Sequence, residues 1–425
     1  MSSRDFPVSA SRGWVRLLVG TLVVSALPLA AHAQRLTLDE AVRRAVAQAP
    51  LVEARAAGVT AAREEAARSG ALPDPVLTVG IDNLPVTGPD AFDATADMMT
   101  MKEIGVRQDI PAPAKRAARR TLAEREFDEA AAREAAERQG VRRSAADAWI
   151  AAWAVQQERH AIQGQREQAA LAAKLARARL AGGEEMATNA LAAQAAVLEL
   201  DARLQGVQAE ETAALEELAR WLGKGDVETA DTPPDFDTLP VTEATLLAGV
   251  DRTGPLLPAT AEVETAAAAI DLARADKRVD WSLTASYGQR SGGRDDMLMF
   301  EVGIGLPVFP RNRQDRGIAA READYQAALA SREDLRRQMA SRIRADVARW
   351  QGLKRQVALH EQALLPMAMD RSKVALAAYR AGGALQPWLD ARRDELAVHL
   401  AHAEHLGELG RAWAALAYLL PKDQP

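Results

Sequence analysis

The sequence feature that most restricts the fold is a run of about 68 residues between Pro113 and Gly182 that contains no proline. Alanine, arginine, glutamate, glutamine and leucine fill this run, and all five favour helix. One continuous helix of this length would span roughly 100 Å. Such a helix cannot bury itself in a single globule, so we expect antiparallel coiled-coil packing, with alanine at the contacts and charged residues facing water.

The chain also contains an internal duplication. Met99, Met101 and Glu103 recur as Met297, Met299 and Glu301, so that 198 residues separate each pair. Further matches keep nearly that spacing: Leu77-Thr78 with Leu283-Thr284, Ile110-Pro111 with Leu306-Pro307, and Arg179 to Gly183 with Tyr379 to Gly383. A repeat of this length is a whole structural half rather than one solenoid unit.

The duplication divides the chain into four parts. Arg4, Arg12 and Arg16 precede an apolar run at 17–30 and the small-residue motif Ala31-His32-Ala33, which predicts a signal peptide at residues 1–33. We expect a first repeat at 34–225, a linker rich in Asp, Thr and Pro at 226–240, and a second repeat at 241–425. An exported chain with a net charge of −6 is a poor candidate for nucleic-acid binding.

Each half has the same order of predicted elements. A capping-box-like start at Thr37 opens a helix that runs to about Gly70. Strands are expected near 76–84 and 99–110, and then again near 281–287 and 297–306. Long helical hairpins follow at 114–181 with 184–222 and at 311–381 with 385–420, with a kink at Pro366. The predicted fold class is therefore mainly α with a small β part.

The predicted strands alternate apolar and polar side chains. Leu77, Val79 and Ile81 share one face of the first strand, and Phe300, Val302 and their even-numbered neighbours share one face of the last. This alternation is typical of strands with lipid on one face and water on the other, although an ordinary sheet with one buried face would show it too. Two such hairpins in an exported chain favour the membrane interpretation. Four strands are too few to close a barrel, so several chains must contribute to one.

The chain at this point resembles the TolC-like outer-membrane factors. The resemblance covers nearly all of the mature chain and rests on motifs that include Leu84-Pro85-Val86, Ile104-Gly-Val-Arg-Gln108-Asp-Ile-Pro111, Gly305-Leu-Pro307 with Phe309-Pro310, and Tyr379-Arg-Ala-Gly382 before Leu389-Asp390-Ala391. It implies a homotrimer in which a twelve-stranded transmembrane β-barrel continues into an α-helical tunnel through the periplasm. Asn83-Leu-Pro-Val and Met99-Thr-Met101 look most like the heavy-metal branch of the family.

The resemblance also implies a location, partners and a function. The protein is expected in the outer membrane, with an inner-membrane resistance-nodulation-division pump and a periplasmic adaptor, passively conducting heavy-metal cations outward. A multidrug or protein-secretion channel of the same fold remains an alternative, and so does a periplasmic coiled-coil scaffold that never enters a membrane. Because the sequence contains no phosphate-binding glycine loop, dinucleotide fingerprint, His-Glu-x-x-His motif or serine elbow, we expect neither an enzyme nor a resident cofactor.

Two sets of residues could contact the transported ion. Strand parity places six side chains on the face predicted to line the lumen: Met99, Met101, Glu103, Met297, Met299 and Glu301. Thioethers suit soft cations and carboxylates harder ones, but methionine could equally fill gaps at the barrel mouth. His399, His402 and His405, three residues apart on the last helix, could share a face and bind zinc, or form an ordinary polar face.

The periplasmic end supplies the remaining candidates. The two hairpin tips, which the resemblance assigns to adaptor contact, contain Gly182, Gly183, Glu184 and Glu185 in one half and Gly382 and Gly383 in the other. Asp390 is the candidate for an acidic ring at the periplasmic gate, where three carboxylates would attract cations. Each of these acidic residues could instead be an ordinary solvated charge.

Overall fold

The computed structural model describes residues 35–223 and 227–421. The predicted signal peptide at 1–33 lies outside this part of the chain. Within it, long helices dominate and a single small sheet lies at one end, as the mainly α fold class predicted. The helices are α1 (Leu38–Gln48), α2 (Pro50–Arg68), α3 (Pro113–Ala181), α4 (Ala187–Leu222), α5 (Glu243–Ala248), α6 (Leu256–Ala275), α7 (Gln314–Leu359), α8 (Leu365–Arg380) and α9 (Gln386–Ala417).

The sheet contains β1 (Val76–Asp82), β2 (Met101–Ile110), β3 (Asp280–Arg290) and β4 (Met297–Gly305). The strands are antiparallel and lie in the order β1-β2-β3-β4. The central pairing joins the two halves, with Met101 opposite Arg290 and Ile110 opposite Trp281. The outer edges of β1 and β4 have no partner strand within the described residues, so the sheet remains open at both sides.

The longest helix forms as the proline-free run predicted. α3 has 69 residues, which corresponds to roughly 100 Å. α4 packs back along it, and α9 packs back along α8 to form the second hairpin. A π-helical turn at His360–Leu364 separates α7 from α8 directly before Pro366. The wider turn fits the proline, which lacks an N–H and would otherwise clash with the carbonyl four residues earlier.

The first predicted helix is divided in two. Thr37 caps α1 as expected, its hydroxyl accepting from the Glu40 N–H at 3.4 Å. The helix then stops at Ala49, whose ψ of 115° is extended, and α2 starts at Pro50. The residue before a proline is pushed out of the helical region by the proline ring, and the prediction of one continuous helix overlooked this effect.

Tryptophan indoles hold the segment between the halves, and the start of the first half at Leu36, against the helices. Four N–H groups donate to main-chain carbonyls: Trp149 to Leu36, Trp153 to Asp231, Trp350 to Phe236 and Trp413 to Thr238, at 2.8 to 3.1 Å. The rings of Trp153, Phe236 and Trp413 also contact one another. We call the four tryptophans and Phe236 the tryptophan belt. The largest buried core cluster surrounds it, at about the middle of α3.

Candidate functional site

The sheet exposes its apolar face and partly buries its polar face, which is the reverse of a sheet in a soluble protein. Large apolar side chains on one face are 41% to 77% exposed, among them Val79, Ile104, Tyr287 and Phe300. Glycine, serine, threonine, methionine and charged residues occupy the other face, where Gly105, Ser286 and Gly288 are buried. An ordinary sheet would bury its apolar face, so this arrangement excludes that alternative and suits a strand layer between lipid and water.

The register places five of the six predicted lumen residues together on the polar face. Glu103 and Met297 both lie opposite Gly288, Met299 opposite Ser286, and Glu301 opposite Thr284, while Met101 begins β2. Met99 is the exception, because it lies in the loop before β2 and strand parity does not define its direction. Its backbone carbonyl accepts from the Asn83 side-chain amide at 3.3 Å.

A close approach at Gly288 brings the methionines together. A Cβ atom at this position would lie 2.6 Å from the Met101 sulfur and 3.6 Å from the Met299 methyl carbon. The side chains of Met101 and Met299 therefore meet over one glycine, and Met297 and Glu103 are the register neighbours of that glycine on the two adjacent strands. The polar face thus offers soft sulfur and hard carboxylate groups side by side.

The two helical hairpins end in tight turns. α3 ends at Ala181 with Gly182 as its C-cap, and Gly183 adopts a φ of +77°, which is the left-handed region that glycine tolerates without strain. Gly382 has a φ of +97° in the equivalent turn of the second half, followed by Gly383 before α9. Glu184 lies in the first turn with a carboxylate oxygen 3.9 Å from the Arg179 guanidinium.

Contacts between the halves fasten the two tips to each other. Arg179 donates to the Tyr379 carbonyl oxygen at 2.8 Å, and its guanidinium lies 4.7 Å from the centre of the Tyr379 ring. The Tyr379 hydroxyl donates to Glu185 at 3.1 Å. We call Arg179, Glu185 and Tyr379 the tip clasp. The Tyr379 ring also stacks on Trp388, with 5.5 Å between ring centres, inside a small apolar cluster.

Hydrogen bonding makes Glu185 a stable anion. The Asn189 side-chain amide donates to it at 2.6 Å, and this bond, with further support from the Tyr379 hydroxyl, holds the pKa of the Glu185 carboxyl below its usual range. Burial, together with the bond to Glu185, raises the pKa of the Tyr379 phenol. At neutral pH the clasp therefore joins a neutral phenol to a charged carboxylate, which is a charge-assisted hydrogen bond.

Asp390 lies one turn into α9, close to Trp388. It is half-buried, and its carboxylate accepts from the Gln386 side-chain amide at 2.9 Å. The residue is thus near the tip, as the gate prediction requires, with part of its hydrogen-bonding capacity satisfied within its own helix.

The histidines form a different group from the predicted one. His360, from the π-helical turn, lies 6.1 Å from His402 and 4.9 Å from His405 between ring centres. His399 faces Glu395 instead, at 4.0 Å, because each step of three residues rotates the side chain by about 60° around the helix. Across residues 35–223 and 227–421, no group of three or more histidine or carboxylate side chains is arranged to hold a metal ion. In the structure His402 and His405 thus group with His360, and His399 lies apart beside Glu395. Metal binding by the predicted set of His399, His402 and His405 stays a prediction.

This imidazole cluster lies within the second hairpin, where His360 is buried and His402 and His405 are partly buried. Among the residues that the structure describes, the Nδ1 atoms of His360, His402 and His405 find no hydrogen-bond partner, and the nearest carboxylate oxygen, from Glu361, lies 3.8 Å from His402 Nε2. Burial lowers the pKa of both His360 and His402, and the neighbouring imidazoles lower it further. Both rings are accordingly neutral near pH 7.

Sequence reasoning missed three important contributors: Arg179, Tyr379 and His360. A signal for the first two was present, because Arg179 and Tyr379 occupy equivalent positions in the duplicated segments and the pseudo-symmetry of the halves brings equivalent tips together. His360 carries no local motif, and only the packing of α7 and α8 against α9 reveals it.

Among the helices in the described part of the chain, none is both long enough and apolar enough to span a bilayer. The apolar surface suited to lipid is the exposed face of the sheet.

Comparison with known proteins identifies relatives along the whole fold. The family model described as outer membrane efflux protein matches residues 41–224 and 253–421, one segment in each half. The cobalt-zinc-cadmium resistance protein CzcC of Cupriavidus metallidurans is 25% identical over 403 residues, covering 93% of this chain and 91% of the relative.

Solved structures show the same architecture. The outer membrane protein VceC of Vibrio cholerae superposes with a TM-score of 0.72 at 20% identity, covering 90% of this chain and 95% of that one. The CusC structure, described in connection with transmembrane channel formation, gives a TM-score of 0.76 at 14% identity over 91% and 92% of the two chains.

Proposed function

The chain belongs to the outer membrane efflux protein family, and on that premise we propose that it is the outer-membrane conduit of a tripartite efflux system for heavy-metal cations. Its location is the outer membrane, with the helices extending into the periplasm. A periplasmic scaffold that never enters a membrane is thereby excluded. The cargo rests on one observation, the similarity to a cobalt-zinc-cadmium resistance protein along 93% of the chain.

A trimer completes the barrel. One chain brings four strands whose outer edges, on β1 and β4, are unpaired within the described residues. Unpaired strand edges are not stable in lipid, since their N–H and C=O groups find no water there. Three copies supply twelve strands, above the roughly eight that a barrel needs, and leave no free edge.

The channel itself performs no chemistry in this proposal. A resistance-nodulation-division pump in the inner membrane supplies the energy, and a periplasmic adaptor docks on the tips formed by Gly182 to Glu185 and by Gly382 and Gly383. Docking then releases the tip clasp, and the polar sheet face provides a wet path outward. Glu103 and Glu301 on that face, and Asp390 near the tip, favour cations over anions by charge.

The methionines give the path a preference for soft ions. The side chains of Met101 and Met299 meet over Gly288 on the polar face, Met297 is the register neighbour of that glycine, and thioethers bind Cu(I) and Ag(I) better than harder cations. Met99 lies close by in the preceding loop. Replacing all four methionines with leucine keeps the apolar volume and removes the sulfur, so unchanged copper and silver resistance would show that they only fill space.

A deletion strain tests the cargo. We expect the strain to become sensitive to zinc, cadmium, cobalt or copper salts and to recover when the wild-type gene is restored, with its sensitivity to organic antibiotics unchanged. Antibiotic sensitivity without metal sensitivity would instead assign the chain to multidrug export, and loss of a secreted protein would assign it to secretion.

Purified protein tests the channel. Trimers that resist detergent and dissociate on heating, together with cation-selective conductance in planar bilayers, are the expected result. The charge-neutral variant Glu103→Gln with Glu301→Gln should reduce the selectivity for cations while the conductance persists.

A further inference from the structure

A basic cavity lies where the sheet meets the helices. It has a volume of about 580 Å³ and is lined by Lys115 and Arg119 of α3, Arg278 after α6, and Arg313 before α7. Two carboxylates, Asp276 and Asp280, also line it. Asp280 is already engaged, because it accepts from Lys115 at 2.7 Å and from the Ala112 N–H at 2.9 Å. Three guanidinium groups then face one remaining carboxylate, which leaves an excess of two positive charges.

In the described part of the chain, the three arginines of this cavity lack direct polar partners, although Arg119 interacts electrostatically with Asp280. Within the part of the chain that the structure describes, the side chains of Arg119, Arg278 and Arg313 make no hydrogen bond and no ion pair within 4 Å. The N-termini of α3 and α7 lie at the same cavity, and the dipoles of these helices add partial positive charge. Guanidinium groups and helix N-termini are both good partners for a phosphate.

The cavity is part of a wider basic zone in an acidic chain. Residues 107–120 contain five basic side chains and one acidic one, and residues 311–321 contain four basic and one acidic, whereas the whole chain has a net charge of −6. Both segments lie at the junction of sheet and helices, so the positive charge is concentrated at one level of the molecule.

Exposed apolar side chains adjoin this zone. Leu306, which lines the cavity, is 70% exposed, and Val308 and Phe309 follow it at 69% and 78%. Trp281, in the first full row of the apolar sheet face, is also exposed and sits where indole rings occupy a membrane interface. A free phosphate ion would use the guanidinium groups only, whereas a phospholipid would use both surfaces.

We propose that this cavity binds the headgroup phosphate of an anionic phospholipid in the periplasmic leaflet, whose acyl chains lie along Leu306, Phe309 and the apolar sheet face. The proposal depends on the outer-membrane location of the chain and is independent of the exported cargo. The bound lipid fixes the level of the junction in the membrane, since the phosphate can occupy only one height along the molecule.

Native mass spectrometry of the purified full-length protein in mild detergent tests this site. The probes are short-chain phosphatidylglycerol, phosphatidylcholine with the same acyl chains, and inorganic phosphate. The test variant is Arg119→Gln, Arg278→Gln and Arg313→Gln combined. The matched control is Arg177→Gln, Arg344→Gln and Arg355→Gln combined, which removes the same charge from exposed positions of α3 and α7.

We expect wild-type protein to bind phosphatidylglycerol in preference to the other two probes. Each arginine near a membrane surface contributes about fivefold in affinity, so the test variant should lose about a hundredfold and the control should lose little. If the triple variant does not assemble, Arg278→Gln alone should lose about fivefold.

Two results would overturn the proposal. Equal loss of binding in the test and control variants would mean that overall charge, rather than the cavity, attracts the lipid. Inorganic phosphate binding as tightly as phosphatidylglycerol would assign the cavity to a free anion. Metal resistance of the same variants, measured in cells, reports separately on the export function.

Discussion

Removing one hydroxyl group from the tip clasp should make the closed tip easier to open. In Tyr379→Phe the ring can still stack on Trp388 and beneath Arg179, but the 3.1 Å hydrogen bond to Glu185 is lost. We expect single channels of this variant in planar bilayers to spend more time open than wild-type channels under the same voltage and salt.

The size of the effect follows from the geometry of the bond. A hydrogen bond to a charged partner contributes about 1.5 to 3 kcal/mol when buried, and the partial exposure of Glu185 reduces this to roughly 1 kcal/mol. This free energy raises the ratio of open to closed states about fivefold if one chain limits opening. If all three clasps of the proposed trimer release together, the ratio rises about 150-fold.

A double-mutant cycle decides whether the clasp is the cause. Glu185→Gln and Tyr379→Phe, alone and combined, should show a coupling free energy of roughly 1 kcal/mol. The control is Tyr325→Phe in α7, because the Tyr325 hydroxyl has no hydrogen-bond partner among the described residues. Additive effects of the two clasp variants, or an equal change in the control, would refute the assignment of the clasp as a closing contact.

Three further outcomes test other parts of the molecule. Because burial lowers the pKa of His360 and His402, just below pH 6.5 these two rings take up protons only in the unfolded chain. The free energy of unfolding should therefore fall as the pH is lowered through this range, by up to about 1.4 kcal/mol per pH unit for each ring. In denaturant titrations the combined variant His360→Gln and His402→Gln should flatten that slope, whereas the control His399→Gln should not. Phe300→Arg on the apolar sheet face should cost about 2 to 4 kcal/mol in each chain and reduce the yield of membrane-inserted trimer, whereas Thr284→Arg on the polar face should be tolerated better. Trp149→Ala should lower the free energy of unfolding by about 3 to 5 kcal/mol, since it leaves a cavity and removes one of the two hydrogen bonds that the Leu36 carbonyl accepts, and Trp221→Ala, at a partly buried position, should cost less.

Features that depend on local sequence, such as helix length and the two faces of a strand, were predictable. The proline-free run gave the length of α3, and the alternation of residues gave the two faces of the sheet with the correct side chains on each. Local propensity and period-two patterning determine these features almost completely. The duplication then indicated that the two halves would have equivalent elements.

Contacts that depend on distant packing were not predictable in the same way. The grouping of His360 with His402 and His405 depends on how the π-helical turn sets the rotation of α7 relative to α9, which no local pattern encodes. The exclusion of Met99 from β2 depends on hydrogen bonds in the preceding loop, including that from Asn83. The break at Pro50, like the pairing of Arg179 with Tyr379, was available from the sequence and overlooked.

The tryptophan belt has a mechanical consequence for the distant tip. The belt grips the helices at about the level of Trp149, and Gly182 at the end of α3 is 33 residues further on, or roughly 50 Å along the helix axis. If the belt serves as a pivot, the lower half of each hairpin is a lever of that length. A tilt of about 10° at the pivot displaces the far end by roughly 9 Å. A rotation small enough to keep the contacts of the tryptophan belt can thus move the end of a helix by nearly one helix diameter.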